Sequence, residues 1–514
     1  MSVLKATAIF GSFTMVSRVL GFIRDILMAA VLGAGFVTDC FVVAFKLPNF
    51  FRRLFAEGAF SASFVPIFSA TVEKEGREEA LKFAEEAFAC LAMTLLLFVG
   101  LMEVFTPALI YAMANGFTDD EAKFALAVTL TRYTFPFIMF VSLVSLLAGV
   151  LNSLGKFAET AATPIILNIC LISALVFGAN TMDTPAHTLS IAVSVAGIIQ
   201  LVFLFRACNK AGYRIRIRMP HLTPRVKKLL LVMGPAALGA GVIQLNLLLD
   251  MIIATHLPDA SMSYLYFADR LNQLPVGVIG VALGTVLLPF LSRSIASGDE
   301  AQVVKSQNQA IEMGLFFTIP AMVAFIIVPN DLIHVLLERS NFSAQATLQT
   351  SLTLAAYAAG LPAYVLAKVF VPGYFARGDT KTPLKFAIVA LFVNVSLNLI
   401  LMQYFAHVGL AMATAISAWI NVFMLAGGLI RSGHYSIEKA LLVRLSKYIL
   451  CSIIMGAVIW GVQNQVAPLI YGNTFAQIGG LLILMLSGIG AYILAIFITK
   501  TVKKDELQAL FSKR

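Results

Sequence analysis

The chain has 514 residues, of which 59% are hydrophobic and only 12% charged, and its mean hydropathy is +0.89. Soluble domains carry about 25% charged residues, so this composition excludes a soluble enzyme and points to an all-α polytopic membrane protein. The net charge of +10 belongs to the loops at one membrane face, where it sets topology and meets anionic lipid rather than nucleic acid.

Apolar runs of about 20 residues, joined by short polar segments, place about fourteen helices near 6–32, 38–69, 84–112, 124–151, 161–179, 186–207, 226–255, 263–292, 309–328, 350–375, 383–403, 408–430, 446–466 and 475–499. The first run lacks a small-residue cleavage site and reads as a retained helix. With both termini cytoplasmic, the inside joints hold Lys74, Arg77, Lys156, the cluster Arg206, Lys210, Arg214, Arg216, Arg218, Arg225, Lys227 and Lys228, and the basic tail after Lys500. The outside joints hold only Lys123 and Arg339 beside several aspartates, which is the positive-inside pattern of a multi-pass protein.

Span one, AIFGSFTMVSRVLGFIRDILMAAVLGAG, contains Arg18 and Arg24; span two, VAFKLPNFFRRLFAEGAFSASFVPIFS, contains Arg52 and Arg53. Arg270 lies in span eight, YFADRLNQLPVGVIGVALGTVLLPFLS. A guanidinium keeps its proton, and at a bilayer centre it costs roughly 2.5–3.5 kcal/mol on the lenient scale. Several in one bundle therefore imply a polar cavity built for an anion. Asp25, Asp39, Glu57 and Asp269 are near enough in sequence to pair with them, yet with Lys46 the bases outnumber the acids. Converging guanidinium forks suit a pyrophosphate better than a single carboxylate. Arg18 and Arg24 are six residues apart, about 120° around a regular helix, so a bend at the glycines of span one is needed to turn both to one side.

Spans two and eight repeat one another: Ala44, Lys46 and Leu47 match Ala268, Arg270 and Leu271, and PIFS at 66–69 matches PFLS at 289–292 one residue out of step. Copies six spans apart face the same way, which gives a parallel pseudo-two-fold plan with two six-helix lobes and two appended C-terminal helices. The resulting divisions are an N-lobe over 1–207, a basic cytoplasmic linker over 208–225, a C-lobe over 226–430 and a C-terminal pair with basic tail over 431–514.

A second polar group falls in spans seven, eleven and twelve: Asp250, then Asn394 and Asn398 on one helix face, then Thr414. These hard oxygens suit an alkali cation, and equally the interhelical hydrogen bonds that hold membrane helices together. Lys368 in span ten reads either as cavity lining or as a snorkelling chain. The five cysteines and six histidines show no zinc or disulfide spacing, and no phosphate-binding loop is present, so no cofactor is expected.

SRVLGFIRD, then FKLPNFFRRLFAEGAFSASFVPIFS, then YFADRLNQLPVGVIGVALGTVLLP resemble the MurJ/MviN lipid II flippases of the multidrug/oligosaccharidyl-lipid/polysaccharide exporter superfamily over essentially the whole chain. The resemblance implies a transporter, not an enzyme, in the bacterial inner membrane. It would carry lipid II, an undecaprenyl-pyrophosphate-linked disaccharide-pentapeptide, to the periplasmic leaflet by alternating access. The family's functional arginines fall on Arg18, Arg24, Arg52 and Arg270 and its acids on Asp25, Asp39, Glu57 and Asp269. A Na+ site described in some members falls on Asp250, Asn394, Asn398 and Thr414 with a carbonyl near Leu410; Asn398 stands where such members can carry Asp, so one charge is missing. Membrane lipids and cell-wall synthesis proteins are the implied neighbours of a monomeric carrier, and spans thirteen and fourteen would hold the lipid tail. The alternative cargo is another polyprenyl-linked or anionic substrate of the same superfamily. A cationic-drug exporter should line its cavity with acids, and a polyprenyl-phosphate enzyme needs a metal-binding carboxylate cluster; neither pattern is found.

Overall fold

Residues 3–53, 60–216 and 218–501 are described in the computed structural model of the chain. Among them every regular element is helical. Among the described residues ten helical segments are long and apolar enough to cross a bilayer by length and composition. One of these, Lys381–Arg431, is two helices joined across a kink at Ala406 (φ 47°, ψ −127°). The chain divides into two compact units, Met1–Ser263 with Arg339–Phe342, and Tyr264–Glu338 with Ser343–Arg514.

The first unit contains α1 (Val3–Leu32), α2 (Phe36–Phe51), α3 (Ser61–Glu75), α4 (Arg77–Val104), α5 (Thr106–Met113), a 3-10 turn at Asn115–Phe117, α6 (Glu121–Thr134), α7 (Phe137–Ser153), α8 (Phe157–Phe177), α9 (Pro185–Lys210) and α10 (Pro224–Thr255). Its core is aromatic. Phe60, Phe64 and Phe68 recur every four residues and stack along one face of α3, at ring separations of 5.2 and 5.5 Å, with Phe83 of α4 at 5.4 Å from Phe64. Val226 and Leu229 of α10 join this core. The far end of α10 meets the 3-10 turn, where Gly116 has no side chain to collide with the Thr255 carbonyl. In packing, α10 thus belongs with the first unit, whereas the repeat read from the sequence begins a lobe at 226.

Helix α1 ends at Gly33, whose φ of +71° is the left-handed conformation that terminates helices. Its last carbonyls are covered by Asn341: the backbone N–H donates to Ala30 O (3.2 Å) and Nδ2 to Val31 O (2.6 Å). In α2, Pro48 has no N–H to give to the Ala44 carbonyl four residues back. Thr134 Oγ1 of α6 donates to that carbonyl instead, at 2.7 Å. Buried backbone in hydrocarbon must find such a partner.

The second unit contains α11 (Ser261–Pro275, from Tyr264 on), a π-helical turn at Val276–Gly280, α12 (Val281–Ala296), α13 (Glu300–Ile327), α14 (Pro329–Leu337), α15 (Ala344–Ala358), α16 (Leu361–Phe375), α17 (Lys381–Arg431), α18 (Lys439–Ile470) and α19 (Thr474–Ile498). The C-terminal pair is fastened to α13 by a ring cluster, with Phe316 at 5.5 Å from Tyr448 and 5.6 Å from Tyr492. Gly456 of α18 admits the close approach of Ile327, and Gly488 of α19 that of Ile459 on α18.

The sequence repeat has a backbone counterpart. After α2 the helix widens to π geometry at Arg52 and Arg53, and after α11 it widens at Val276. Arg52 and Val276 stand at the same offset as Ala44 and Ala268. One-turn π segments of this kind mark functional stretches of helices.

Candidate functional site

Arg24 is buried inside α1, at 9% exposure, and its guanidinium works as a fork. Nε and Nη2 donate to Asp25 Oδ1 at 3.1 and 2.7 Å. Nη1 donates to Asn168 Oδ1 of α8 at 3.0 Å. Asn168 in turn donates through Nδ2 to the Ser17 carbonyl at 2.9 Å. One amide thereby joins two turns of α1 and aims the guanidinium plane. The amide packs over Gly21, where an added Cβ would lie in ordinary contact, 3.6 Å from Asn168 Nδ2. Asn168 was not among the candidate residues of the sequence. Its only local mark is a polar residue in the apolar run PIILNICLIS, which also describes ordinary interhelical contacts. Arg18 is half-buried on the same helix, and α1 is a single helix from Val3 to Leu32.

At the end of α2, Arg52 is half-buried and Arg53 exposed. Arg52 Nε donates to Asn49 Oδ1 at 3.2 Å. Glu57 lies outside the described residues. Asp39 lies near the start of α2. It is buried, and its carboxylate accepts from Ala260 N (2.8 Å), Ser263 N (2.8 Å) and Ser263 Oγ (2.6 Å), which caps the first turn of α11. Lys123 approaches Asp39 at 3.8 Å, pairs with Asp259 at 2.5 Å and lies 4.3 Å from the centre of the Phe117 ring. A lysine placed by sequence in an outside loop is thus buried as the counter-ion of a helix cap.

In the second unit, Arg270 is half-buried, with its guanidinium carbon 4.7 Å from the centre of the Tyr266 ring one turn earlier. Asp269 accepts from Gln273 at 3.2 Å. The stem of Lys368 on α16 fills the space over Gly280, in the π turn, where an added Cβ would lie 2.8 Å from its Cδ.

The polar residues expected at a Na+ site fall in both units. Asp250, in the first, is half-buried and accepts from Asn246 Nδ2 at 3.4 Å. In the second, Asn394 and Asn398 are buried, and Asn398 Nδ2 donates to Asn394 Oδ1 at 3.1 Å. Asn394 Nδ2 reaches Ser417 Oγ at 3.4 Å, Ser417 Oγ donates to the Thr414 carbonyl at 3.0 Å, and Thr414 Oγ1 to the Leu410 carbonyl at 2.9 Å. These are hard oxygens of the type an alkali ion takes, and they fit it by atom class. Within the second unit Asn398, Asn394, Ser417, Thr414 and Leu410 form one hydrogen-bonded chain, so an ion taking Asn394 Oδ1 would compete with the Asn398–Asn394 bond. Among the described residues no cluster of three or more His, Cys, Asp or Glu side chains is placed to hold a metal.

This fold is shared by exporters of the MOP superfamily: an inward-facing multidrug MATE transporter of that superfamily superposes with a TM-score of 0.65 at 13% identity, covering 86% of this chain and 98% of that one. A solved lipid II flippase MurJ in its inward closed conformation superposes with a TM-score of 0.78 at 28% identity, covering 97% and 99%. The lipid II flippase MurJ family matches residues 28–506. A probable lipid II flippase MurJ of Rhizobium tropici is 42% identical over 505 residues, 97% of this chain and 94% of that protein. The lipid II flippase MurJ of Burkholderia cenocepacia is 34% identical over 441 residues, 85% of each. The chain therefore belongs to the MurJ family of multi-span membrane transporters; it is not an enzyme.

Proposed function

We propose that this chain is a lipid II flippase of the bacterial inner membrane. It moves the pyrophosphate-linked peptidoglycan precursor from the cytoplasmic to the periplasmic leaflet through fourteen spans, with both termini cytoplasmic. Family membership over nearly the whole length supports the cargo. The observation that carries the anion half is Arg24, a guanidinium held deep in a membrane helix by Asp25 and Asn168.

In this reading Arg18, Arg24, Arg52, Arg53 and Arg270 bind the pyrophosphate, and Asp25 and Asp269 hold the charges in place between cycles. A lipid with two or more negative charges cannot cross hydrocarbon unaided. Cations replace the hydration of its head group while the tail stays in lipid, and loading neutralises their mutual repulsion, which drives alternating access. A potential negative inside assists expulsion by about 2.3 kcal/mol per charge per 100 mV across the whole field. Na+ at Asp250, Asn394, Asn398 and Thr414 would add a reset of the empty carrier.

The test is lipid II translocation in cells depleted of their own flippase, comparing the chain with Arg24→Ala and Arg270→Ala at matched membrane abundance. Transport by the unsubstituted chain and failure of both variants is the expected result. Equal transport by the variants overturns the arginine assignment, and no transport by the unsubstituted chain overturns the cargo. For the ion, Na+ should raise thermal stability over K+, and more so in Asn398→Asp; identical stability in both salts removes Na+ from the cycle.

A further inference from the structure

Within 208–225, basic and without apolar length in sequence, the described residues 208–216 and 218–225 form a strap. Between the end of α9 at Lys210 and the start of α10 at Pro224 the backbone alternates: Tyr213 and Ile215 are buried in the Phe64 core, while Arg214 and Arg216 are exposed. Arg77 covers the Tyr213 ring at 4.6 Å and bonds the Gly212 carbonyl. Helices α3 and α4 supply the other anchors. Glu85, itself buried, accepts from Arg216 N at 2.9 Å and pairs with Arg218 at 2.5 Å. Glu86 accepts from Thr223 Oγ1 at 2.8 Å, and Cys90 Sγ reaches the His221 carbonyl at 3.4 Å. Arg225 pairs with Glu75 at 2.5 Å and Glu79 at 3.0 Å.

These anchors fix the depth of the strap. Contacts from Glu85 to Cys90 cover about 7 Å of helix axis, and the uninterrupted apolar run of α4 begins at Ala87. The strap therefore lies beside the first turn of the membrane-crossing part of α4, at head-group depth. At that depth it exposes two large apolar side chains, Met219 at 77% and Leu222 at 62%. Around them Arg206, Lys210, Arg214, Arg216, Lys227 and Lys228 are all exposed. The nearby acids are engaged: Glu75 and Glu79 with Arg225, Glu85 with Arg218, Glu86 with Thr223. A water-facing loop has no use for Met219 and Leu222 in this place, and an acidic protein partner would have to enter the head-group layer to reach it.

We propose that this strap is a docking surface for anionic phospholipids of the inner leaflet, with Arg214 and Arg216 on their phosphates and Met219 and Leu222 set among the upper acyl carbons. The site is independent of the transport reading and of the cavity arginines.

The experiment uses the full chain in bilayers, with Leu222→Trp as the reporter. Quenching by phosphatidylglycerol brominated high on its acyl chains is compared with quenching by equally brominated phosphatidylcholine. Each is read as the difference between Leu222→Trp and the unsubstituted chain. Each exposed cation near a membrane surface is worth about a five-fold change in association. The expected result is therefore at least a five-fold preference for the anionic lipid. Arg214→Gln with Arg216→Gln, both exposed and outside the core, should bring the ratio toward one, as should roughly molar salt. Equal quenching by the two lipids overturns the anionic assignment. Absence of quenching by either overturns the membrane contact altogether and leaves the strap to water or to a protein partner.

Discussion

Arg24→Lys keeps the charge of the buried cation and removes its fork. Native Nε and Nη2 meet Asp25 at 3.1 and 2.7 Å while Nη1 meets Asn168 at 3.0 Å, so three nitrogens serve two partners on two helices. A lysine ammonium is one strongly hydrated point donor and cannot hold both with that geometry. At least one charge-assisted bond is lost, which is worth about 1.5–3 kcal/mol. If the fork is what presents the cation to a pyrophosphate, binding should weaken by roughly ten- to 150-fold. Asn168→Ala leaves the charge, Asp25 and the arginine in place and removes only the aiming amide; a loss of about 1 kcal/mol is expected. The assay is lipid II binding to the purified chain in nanodiscs, with unfolding in SDS-titrated mixed micelles measured beside it. Binding by Arg24→Lys within two-fold of the unsubstituted chain refutes the fork. Weakened stability in Asn168→Ala with unchanged binding would make Asn168 a packing residue only.

Gly33→Ala forces a left-handed residue, which costs roughly 1–2 kcal/mol, and drives its Cβ into the Asn341 carbonyl. Unfolding in mixed micelles should show a loss above about 2 kcal/mol, and a near-neutral result would contradict the α1 terminus described. Thr134→Val should cost about 0.6–1.7 kcal/mol, because the Ala44 carbonyl loses the donor that replaces the missing Pro48 N–H. In a Pro48→Ala background that cost should shrink, since the helix then supplies its own donor; a double-mutant cycle without coupling rejects this. Asp379 accepts from the N–H groups of Lys381 and Thr382 at the start of α17 (3.1 and 3.0 Å), and hydrogen bonding to Thr382 lowers its carboxyl below the ordinary value. A lowered folded pKa contributes stability that is present above the unfolded value and fades as pH falls through the folded one. Asp379→Ala should therefore cost about 1 kcal/mol at neutral pH and progressively less toward strongly acid pH; a cost that grows on acidification would reverse the sign.

Membership of the helical membrane class was legible in the chain alone, because burial in hydrocarbon demands long apolar runs and satisfied backbone, and both are local properties. The same local cost singled out five arginines, of which Arg24 is buried, Arg18, Arg52 and Arg270 are half-buried and Arg53 is exposed. The repeat between spans two and eight was also readable, and the π turns at Arg52 and Val276 carry it into the backbone. Only tertiary structure chose the partners. Asn168 stands 144 residues from Arg24, and Asp39 more than 220 from the α11 turn that it caps. Nothing periodic in the chain links such pairs. Lys123 read only as an outside-loop charge, and Asp39, Asp259 and the Phe117 ring enclose it. Likewise the basic linker at 208–225 read as a topology-setting segment lying on anionic lipid, and the acids on α3 and α4 that anchor it are seen only in the fold. In a chain apolar on nearly every helix face, hydropathy says that a helix is in the membrane. Which face meets which neighbour is decided by a few polar atoms, and these find one another only when the helices pack.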